Sequence, residues 1–351
     1  MPYSLKVPDK SLTPENSASR AGERALIRRI RSRAGGDARQ GLSLGIGDDC
    51  ALLKPRPGEE FAVTTDLSIA GRHFSLDMHP PEVVGYRTLA RGLSDLAAMG
   101  ARPVAAFVSL GLPRELTVTR NRRTAWIERF YDGLLSLAKD HKTPLAGGDL
   151  AESPLALADI VLVGAVPNGK ALLRSGARAG DALYVTGRLG GAAVGLARLS
   201  AMPKRRTRDG FPVISLKMSS LSEAHLRPLP RVAQGLWLRR RGLASAAIDI
   251  SDGLSTDLNH LCEESGVSAE VDAACLPLHP HATLEQALHG GEDYELLFTA
   301  PETARLPRQI SGVPVTRIGR IVRRRPGAAV VTLRTDKGSV ALRPQGWQHF
   351  G

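Results

Sequence analysis

Acidic residues stand in apolar or glycine-rich surroundings along this 351-residue chain, although its formal net charge is +12. In the first half, the segments GIGDDCALL, VTTDLSIAGRHF, LSDLAAMG and LAGGDL contain Asp48, Asp49, Asp66, Asp95 and Asp149. In the second half, AIDISDG and GGEDYELLF contain Asp249, Asp252, Glu292 and Asp293. An ionised carboxylate in apolar surroundings costs several kcal/mol unless it is paired or binds a metal. These acids therefore need compensating groups.

The chemistry that suits such acids is cation and phosphate binding. Carboxylate oxygens are hard ligands that select Mg²⁺ or Ca²⁺, and Mg²⁺ usually combines a few carboxylates with waters and substrate phosphates. Glycine pairs at Gly147-Gly148 and Gly290-Gly291 allow backbone N–H groups to approach phosphate oxygens closely. The residue types therefore predict magnesium and phosphate chemistry.

Each acidic motif also has a purely structural interpretation. Asp48, Asp66 or Asp249 alone could be a helix N-cap or a turn residue. Asp95 lies within an apolar helical pattern, where a solvated face or a partner such as Arg91 could account for it. The functional hypothesis therefore depends on the whole set of acids.

Two glycine-rich segments resemble nucleotide-binding loops but lack required features. Residues 164–170 have the GxxxxGK spacing of a P-loop, yet Ala171 replaces the necessary Ser or Thr and Pro167 removes an N–H group. Residues 187–195 follow a predicted strand, but their glycine spacing differs from GxGxxG and no ribose-binding acid follows at the expected distance. We predict a tight strand-to-helix turn in the second segment and no P-loop in the first.

Hydrophobic periodicity predicts two successive units of alternating strands and helices. The first contains a helix around Leu26 to Ile30, strands at 42–46, 61–65, 104–110, 143–146 and 158–166, and helices at 81–99 and 117–140. The second contains strands at 182–186, 246–250, 269–271 and 294–299, and helices after residue 191, at 229–241 and at 254–265. The predicted fold class is α/β or α+β. We expect a flexible arm at 1–20, an N-terminal domain at 21–167 and a C-terminal domain at 168–351.

The positive charge raises the possibility of nucleic-acid binding, because clustered basic residues can displace counterions from phosphates. The arginine clusters, for example residues 204–208 and 323–325, are dispersed and lack interleaved aromatic residues for base stacking. A basic surface that attracts small anions is the preferred interpretation. A nucleic-acid-binding protein stays the alternative from a different class, and it predicts salt-sensitive binding without nucleotide turnover.

The cysteines and the first residues bear on cellular location. Cys50, Cys262 and Cys275 form no CxxC pair, which fits a reducing compartment and makes zinc improbable. The first twenty residues contain no apolar signal-peptide core, and the longest apolar stretch, at 156–167, is too short to cross a bilayer. We expect a cytoplasmic protein that does not associate with membranes.

Eight segments, in order and over nearly the whole chain, resemble the thiamine-monophosphate kinase family: GIGDDCALL, TTDLSIAGRHF, LSDLAAMGARP, LAGGDL, LLRSGARAGDALYVTG, AIDISDGLSTDL, GGEDYELLFT and GWQHF. That family is related to aminoimidazole ribonucleotide synthetase and selenophosphate synthetase. The resemblance implies an α+β, two-domain homodimer whose N-terminal sheets pair into a barrel-like interface. It also implies that ATP binds in the cleft around that interface.

Position by position, the resemblance implies roles for particular residues. Several magnesium ions would bind Asp49, Thr64, Thr65, Asp66, Asp95, Asp149, Asp249 and Asp252. ATP would contact Gly148, Arg174 and Ser251. Thiamine monophosphate would contact His73, Glu292 and Trp347.

The implied reaction is direct in-line phosphorylation of thiamine monophosphate by ATP, the last step of thiamine diphosphate biosynthesis. Two mutually repelling phosphates require several cations, which explains the number of aspartates. A phosphate monoester has a second pKa near ~6 and is mostly dianionic at neutral pH, so no catalytic general base is expected. Sibling enzymes of the superfamily are the nearest alternative, but a reactive N-terminal cysteine is absent and the GGEDYEL motif is present.

Three of these residues have alternative interpretations. Trp347 could stack on the cationic thiazolium or be a packed C-terminal anchor. His73 could donate to the acceptor phosphate or be a structural histidine beside Phe74. Arg174 could bind a phosphate of ATP or form a salt bridge between the domains.

Overall fold

The structure is a computed structural model, and it describes residues 23–34, 41–118, 125–203, 206, 210–212, 214 and 222–347. The predicted arm at 1–20 and the basic segment 204–208, except Arg206, lie outside these residues. Helices and strands are numbered in chain order over this part of the chain.

The first half of the chain forms a hairpin and a four-stranded sheet. The strands are β1 (Leu42–Leu44), β2 (Leu52–Leu53), β3 (Glu59–Ile69), β4 (Arg102–Leu112), β5 (Leu145–Glu152) and β6 (Leu157–Pro167). β1 pairs with β2, and the sheet has the order β3-β6-β4-β5, with β4 and β5 parallel and the other pairs antiparallel. β3 is therefore an edge strand, paired along its whole length with β6.

One face of this sheet is covered by helices. The helices of the first half are α1 (Glu23–Ala34), α2 (Pro81–Ala98) and α3 (Trp126–Asp140). Pro81 suits the first turn of α2, where its missing N–H has no partner to lose. A Cβ atom at Gly85 would lie 1.8 Å from the Phe130 carbonyl oxygen, and one at Gly133 would lie 1.7 Å from that of Glu82. These two glycines therefore allow α2 and α3 to cross backbone against backbone.

The second half forms a larger, mostly antiparallel sheet. Its strands are β7 (Ala182–Thr186), β8 (Ala246–Asp249), β9 (Val267–Asp272), β10 (Leu296–Ala300), β11 (Gln309–Ile310), β12 (Val313–Arg323), β13 (Val331–Thr335) and β14 (Gly338–Ala341). Its helices are α4 (Gly191–Ser200), α5 (Glu223–Leu226), α6 (Val232–Arg241), α7 (Leu254–Ser265) and α8 (Leu284–His289). The strand order is β14-β13-β9-β12-β7-β10-β8, with β11 beside β12, and only β13 and β9 pair in parallel.

Helix α2 lies between the two sheets and contacts β3, β6 and β8. One hydrophobic core accordingly contains Ile160 from the first sheet, Leu93 from α2 and Phe298 from the second sheet. A second core lies on the other face of the second sheet, where Leu258 of α7 packs with Leu297. The layers run from the first sheet through α2 to the second sheet, so α2 can present side chains to both halves.

The other face of the four-stranded sheet is partly open. The β1–β2 hairpin covers the side nearest β4 and β5, where Leu42 packs with Val104. On the edge strand β3, Phe61, Val63 and Leu67 are 38%, 62% and 45% exposed. An apolar row on an exposed edge strand is typical of a surface that meets another chain.

A mixed α/β fold in two domains is confirmed, but several predicted boundaries were wrong. The strand predicted at 61–65 extends over Glu59–Ile69, so Asp66 lies inside β3 and not at its end. Asp149 likewise lies inside β5 because the LAGGDL segment is part of that strand. The helix predicted at 117–140 begins only at Trp126 in the described chain. Neither sheet closes into a barrel within the described residues.

The two segments that resemble nucleotide-binding loops have the structures that the sequence predicted. Gly164 lies within β6, which ends at Pro167, so that segment is a strand and the turn after it. Residues 187–190 form a tight turn between β7 and α4. Across the described ranges, no helix is both long and apolar enough to cross a membrane.

Candidate active site

A cavity of about 540 Å³ lies between the two halves of the molecule. Its walls come from β3, α2, the segment between them and α4, and from the loops that follow β8 and precede β10. The predicted site residues that line it are His73, Asp66, Asp95, Asp249, Ser251, Asp252, Glu292 and Trp347. The structure thus gathers predicted metal, ATP and substrate residues from both halves.

Asp95, which is half-buried, and Asp249, which is buried, form an acidic pair at this cavity. Ser94 Oγ donates to Asp249 Oδ2 at 2.7 Å, and Thr64 Oγ1 donates to Asp95 Oδ2. Burial raises the pKa of Asp95 to about 7, and the nearby charge of Asp249 adds to this increase. Burial also raises the pKa of Asp249. Because both carboxylates resist ionisation side by side, a cation placed between them would be strongly favoured.

Arg174 is exposed, but its positive charge lowers the pKa of both Asp95 and Asp249. Its backbone is fixed by Ser265, whose Oγ donates to the Arg174 carbonyl oxygen at 2.8 Å. This placement beside an acidic pair suits a group that also meets phosphate oxygens.

Arg87, Arg91 and Asp95 recur at intervals of four residues and form one polar stripe on α2. Arg91 Nε donates to Asp66 Oδ2 at 2.7 Å, and a second nitrogen of its guanidinium lies 2.7 Å from Asp66 Oδ1. Arg91 is therefore the partner of Asp66, and not of Asp95 as one structural interpretation of the sequence allowed. Burial still raises the pKa of Asp66, against the influence of Arg91.

The loop after β8 is held largely by a buried carboxylate, that of Asp257 of α7. Its Oδ2 accepts the backbone N–H groups of Ser251, Asp252 and Gly253 at 3.1, 3.1 and 3.0 Å. Gly253 has a φ of 117°, which favours glycine. Burial raises the pKa of Asp257 to about 8, with the charges of Asp249 and Asp252 adding to the effect. Asp257 therefore fixes the loop that presents Ser251 and Asp252.

His73, in the segment between β3 and α2, and Trp347, after β14, both line the cavity. The Ile69 N–H donates to His73 Nδ1 at 3.1 Å, which leaves Nε2 to carry the proton and to donate. The backbone N–H of Trp347 donates to the Asp252 carbonyl oxygen at 3.2 Å, and the Trp347 side chain is 48% exposed. The half-exposed indole at the cavity wall matches a ligand contact better than a buried anchor.

Glu292 lies in the loop before β10 with a left-handed φ of 69°. Arg87 donates to Glu292 Oε1 at 2.6 Å, and His225 Nδ1 lies 3.4 Å from Oε2. Burial opposes ionisation of Glu292, but Arg87 and His225 outweigh it and hold the pKa of this carboxyl below its usual range. Glu292 is therefore a charged group at the cavity.

A second cavity, of about 1130 Å³, lies at the β5 edge of the four-stranded sheet, beside α1, and is lined by Asp48, Asp49, Gly148 and Asp149. In the sheet register, Asp149 is opposite Ser109, Ser109 is opposite Asp159, and Asp159 is opposite Leu67. Opposed residues share a face, so Asp149 lies on the same open face as Leu67. Gly148 has a φ of 147°, and a Cβ there would lie 1.9 Å from the Val108 carbonyl oxygen.

The sheet therefore separates the predicted metal-binding residues into two groups. Thr64 and Asp66 face α2, whereas Thr65, between them on β3, faces the open side. Within one chain, Thr65 and Asp149 thus lie across the sheet from the Asp95–Asp249 pair, and Asp49 lies with Asp149 in the second cavity. No sequence pattern predicted this division.

In the described part of the chain, no group of three or more His, Cys, Asp or Glu side chains already converges on one metal position. The donor set nevertheless fits Mg²⁺. Its atoms are carboxylate oxygens, the Asp95–Asp249 pair resists ionisation, and the cavity leaves room for phosphates and waters.

Several residues of this site were missed from the sequence. Arg87, His79 and His225 belong to no recognised motif, and Asp257 was assigned no role although it lies in the AIDISDGLSTDL segment; all four are buried. The four-residue spacing of Arg87, Arg91 and Asp95 in an otherwise apolar helix was a usable signal. His79 and His225 are isolated in sequence, and only the packing of the two halves brings them to the cavity.

Two family models match the chain: AIR synthase related protein, N-terminal domain, over residues 47–167, and AIR synthase related protein, C-terminal domain, over residues 178–332. The fold and the site are thus those of an AIR synthase related protein. Thiamine-monophosphate kinase from Escherichia coli (strain K12) is 40% identical over 342 residues, covering 94% of this chain and 98% of that protein. This chain belongs to the thiamine-monophosphate kinase family.

Solved structures agree with this family. The crystal structure of thiamine-monophosphate kinase from Stenotrophomonas maltophilia K279a has 40% sequence identity and a TM-score of 0.74, and the match covers 89% of this chain and 96% of that one. A structure described as AaThiL complexed with AMPPCP and TMP has 29% identity and a TM-score of 0.69, and the match covers 97% and 100% of the two chains.

Proposed function

We propose that this protein transfers the γ-phosphoryl group of ATP to thiamine monophosphate and releases ADP and thiamine diphosphate. The observation that carries the proposal is the composition of the cavity between the halves. Its acidic part contains Asp95 and Asp249, and the same cavity contains His73, Glu292 and Trp347. A single cavity can therefore receive both a phosphate group and a cationic heteroaromatic ring.

The relatives support both substrates. The solved AaThiL structure contains AMPPCP, an ATP analogue, together with TMP. Family membership extends over nearly the whole chain, so both halves that form the cavity are included. We therefore assign ATP as the phosphoryl donor and thiamine monophosphate as the acceptor.

Magnesium is the metal that suits the acidic groups. Asp66, Asp95, Asp249 and Asp252 would hold it in the cavity between the halves, and Thr64 would orient Asp95 through its hydrogen bond. Asp49, Thr65 and Asp149 would contribute from the open face of the sheet. When bound, magnesium neutralises charge on phosphate oxygens.

The chain's own side chains position the acceptor and the donor. Arg174 would donate to a phosphate of ATP beside the Asp95–Asp249 pair, together with the N–H groups near Gly148 and Ser251. His73 Nε2–H would donate to the phosphate of thiamine monophosphate, and Trp347 would cover its ring. The acceptor is mostly dianionic at neutral pH, with a second pKa near ~6, so transfer proceeds directly and in line, without a general base or a phosphoenzyme.

The active form in this proposal is a homodimer. The exposed apolar residues of β3 lie on the same open face as Asp149 of β5, at the opposite edge of the sheet, so a second copy that covers the whole face also reaches the second cavity. Pairing of the two open faces would bury the edge strands and form a barrel-like interface. The Asp49–Asp149 group of one copy would then complete the Asp95–Asp249 group of its partner.

The direct test is to incubate the purified protein with ATP, Mg²⁺ and thiamine monophosphate and to quantify ADP and thiamine diphosphate. We expect stoichiometric formation of the two products, and none in the presence of a magnesium chelator. Consumption of ATP without thiamine diphosphate, or with a different acceptor, would refute the proposal. Salt-sensitive binding of DNA or RNA without turnover would favour the alternative class.

A further inference from the structure

A buried polar network joins the two halves beneath the cavity. Arg87 of α2 is 4% exposed, and a buried guanidinium requires partners. Its partners come from the second half of the chain. It donates to Glu292 Oε1 at 2.6 Å and to the His225 carbonyl oxygen, and it lies 3.1 Å from His225 Nδ1. Arg87 thus spans from the central helix to the loop that presents Glu292.

The network continues to the segment that precedes α2. His79 Nε2 lies 3.0 Å from His225 Nε2, and His79 Nδ1 lies 3.0 Å from the Ser75 backbone nitrogen. Burial, followed by the charge of Arg87, lowers the pKa of His79 to about 3 and also lowers the pKa of His225. Two neutral imidazoles can share one N–H···N hydrogen bond, with one ring donating and the other accepting. The wall segment that contains His73 is thereby connected to the Glu292 loop.

The backbone at Glu292 needs such support. Glu292 and Tyr294 both have left-handed φ values, 69° and 50°, which are unfavourable for residues other than glycine. The Glu292 N–H donates to the Ser251 carbonyl oxygen at 2.7 Å, which fixes the main chain but not the carboxylate. A strained conformation persists where the surroundings determine it fully, and such conformations occur at functional sites.

We propose that Arg87, His225 and His79 are positioning residues that fix the Glu292 carboxylate for the cationic, nitrogen-containing end of the acceptor substrate. None of the three needs to touch the substrate. Arg87 and His225 hold the two oxygens of Glu292, and His79 ties His225 to the opposite wall. This inference rests on the proposed function, because it assigns the recognition of the acceptor within the same cavity.

The test compares Arg87→Met with a matched control, Arg239→Met. Arg239 also joins the halves, since its Nε donates to the Gly100 carbonyl oxygen at 2.7 Å, but it does not line the cavity. Binding of thiamine monophosphate and of AMPPCP is measured separately by calorimetry, and KM is measured for both substrates. We expect Arg87→Met to weaken thiamine monophosphate binding about tenfold or more, because it leaves a buried charge without its partner. AMPPCP binding should change less than about twofold, as should both ligands in the control.

Two further variants separate positioning from general destabilisation. Arg87→Lys retains the positive charge and should recover part of the lost affinity. The double variant Arg87→Met/Glu292→Gln should bind thiamine monophosphate no more weakly than Glu292→Gln alone, because both changes act through one carboxylate. Additive losses, or equal losses for both ligands, would overturn the inference.

Folding is monitored by thermal unfolding. If Arg87→Met does not fold, His79→Gln replaces it, and a folded His79→Gln protein with unchanged thiamine monophosphate affinity would overturn the inference. The proposed function fails separately, if the wild-type protein forms no thiamine diphosphate from ATP and thiamine monophosphate.

Discussion

Asp95 and Asp249 show how a binding site is built from side chains that destabilise the empty protein. Asp249 is buried and Asp95 is half-buried, and loss of solvent raises the pKa of each. Ser94 and Thr64 orient the carboxylates without neutralising them. The pair therefore stores unfavourable energy that a bound cation can release.

Asp95→Asn should stabilise the metal-free protein while it abolishes most activity. The native pKa of Asp95, about 7, lies above its ordinary value of 3.8, so the folded protein keeps a proton that the unfolded chain releases. Wild-type stability from this group is accordingly lost as the pH rises through that interval, and the Asn variant avoids the loss. We expect a gain of about 1–3 kcal/mol in the free energy of unfolding near neutral pH.

The measurement is denaturant unfolding of both proteins with a chelator present, at a pH below 4 and at a pH above 7. The advantage of the variant should appear only at the higher pH. Turnover of the variant with excess Mg²⁺ should fall at least about a hundredfold. A variant that is less stable than wild type at the higher pH, or that retains normal turnover, would contradict the assignment.

At the level of elements, the site depends on how closely α2 can approach its neighbours. The crossing of α2 with α3 has backbone in contact with backbone at Gly85 and Gly133, where added Cβ atoms would lie within 2 Å of carbonyl oxygens. Because α2 bears Arg87, Arg91 and Asp95, any shift at this crossing moves all of them together.

Gly133→Ala should therefore destabilise the protein, although alanine is normally the better helix former by about 1 kcal/mol. The added methyl group would overlap the Glu82 carbonyl oxygen and force the helices apart. We expect a loss of about 2–4 kcal/mol in unfolding free energy, as for overpacked cores. Ser136→Ala, at an exposed position on the same helix, is the control and should change stability by less than about 0.5 kcal/mol. Equal stabilities for the two variants would show that α3 can move freely.

Local sequence patterns predicted many of the helices and strands. The helical spacing of apolar residues predicted α2, and Asp95 lies within that helix as predicted. β12 and β13 were missed because arginine and threonine interrupt their apolar residues, although both strands are paired on two sides within the sheet. The interior placement of Asp66 and Asp149 was also missed, since strand length is set by pairing with β6 and β4 rather than by local propensity.

At the level of the whole molecule, the division of the acids between two cavities could not be predicted from the sequence. Which face of a sheet a residue occupies depends on strand register, and a shift of one residue reverses it. The Arg87–Glu292 pair likewise joins positions 205 residues apart. Motif order along the chain contains no information about either contact.

A mixing experiment tests whether two copies share each site. Asp149→Asn and Asp249→Asn should each be nearly inactive alone. When the two are unfolded together and refolded as a mixture, half of the dimers are mixed, and in each of these one site receives both wild-type residues. We expect recovery of about a quarter of wild-type activity for a symmetric dimer.

The control mixes Asp95→Asn with Asp249→Asn, which affect residues of the same cavity and should give no recovery. Size-exclusion chromatography with light scattering would establish the assembly of each sample. Absence of recovery in the first mixture, with mixed dimers present, would mean that each chain forms its own complete site.

The polar stripe on α2 has a consequence for substrate length. Arg87 and Asp95 are eight residues apart, which corresponds to about 12 Å along a helix axis. One end of the stripe is paired with Glu292 and the other lies beside Asp249. Because a helix hardly stretches, the distance between the two ends of the stripe is nearly constant. A phosphorylated compound much shorter than this span can engage the Glu292 end or the acidic end, but it cannot engage both at once.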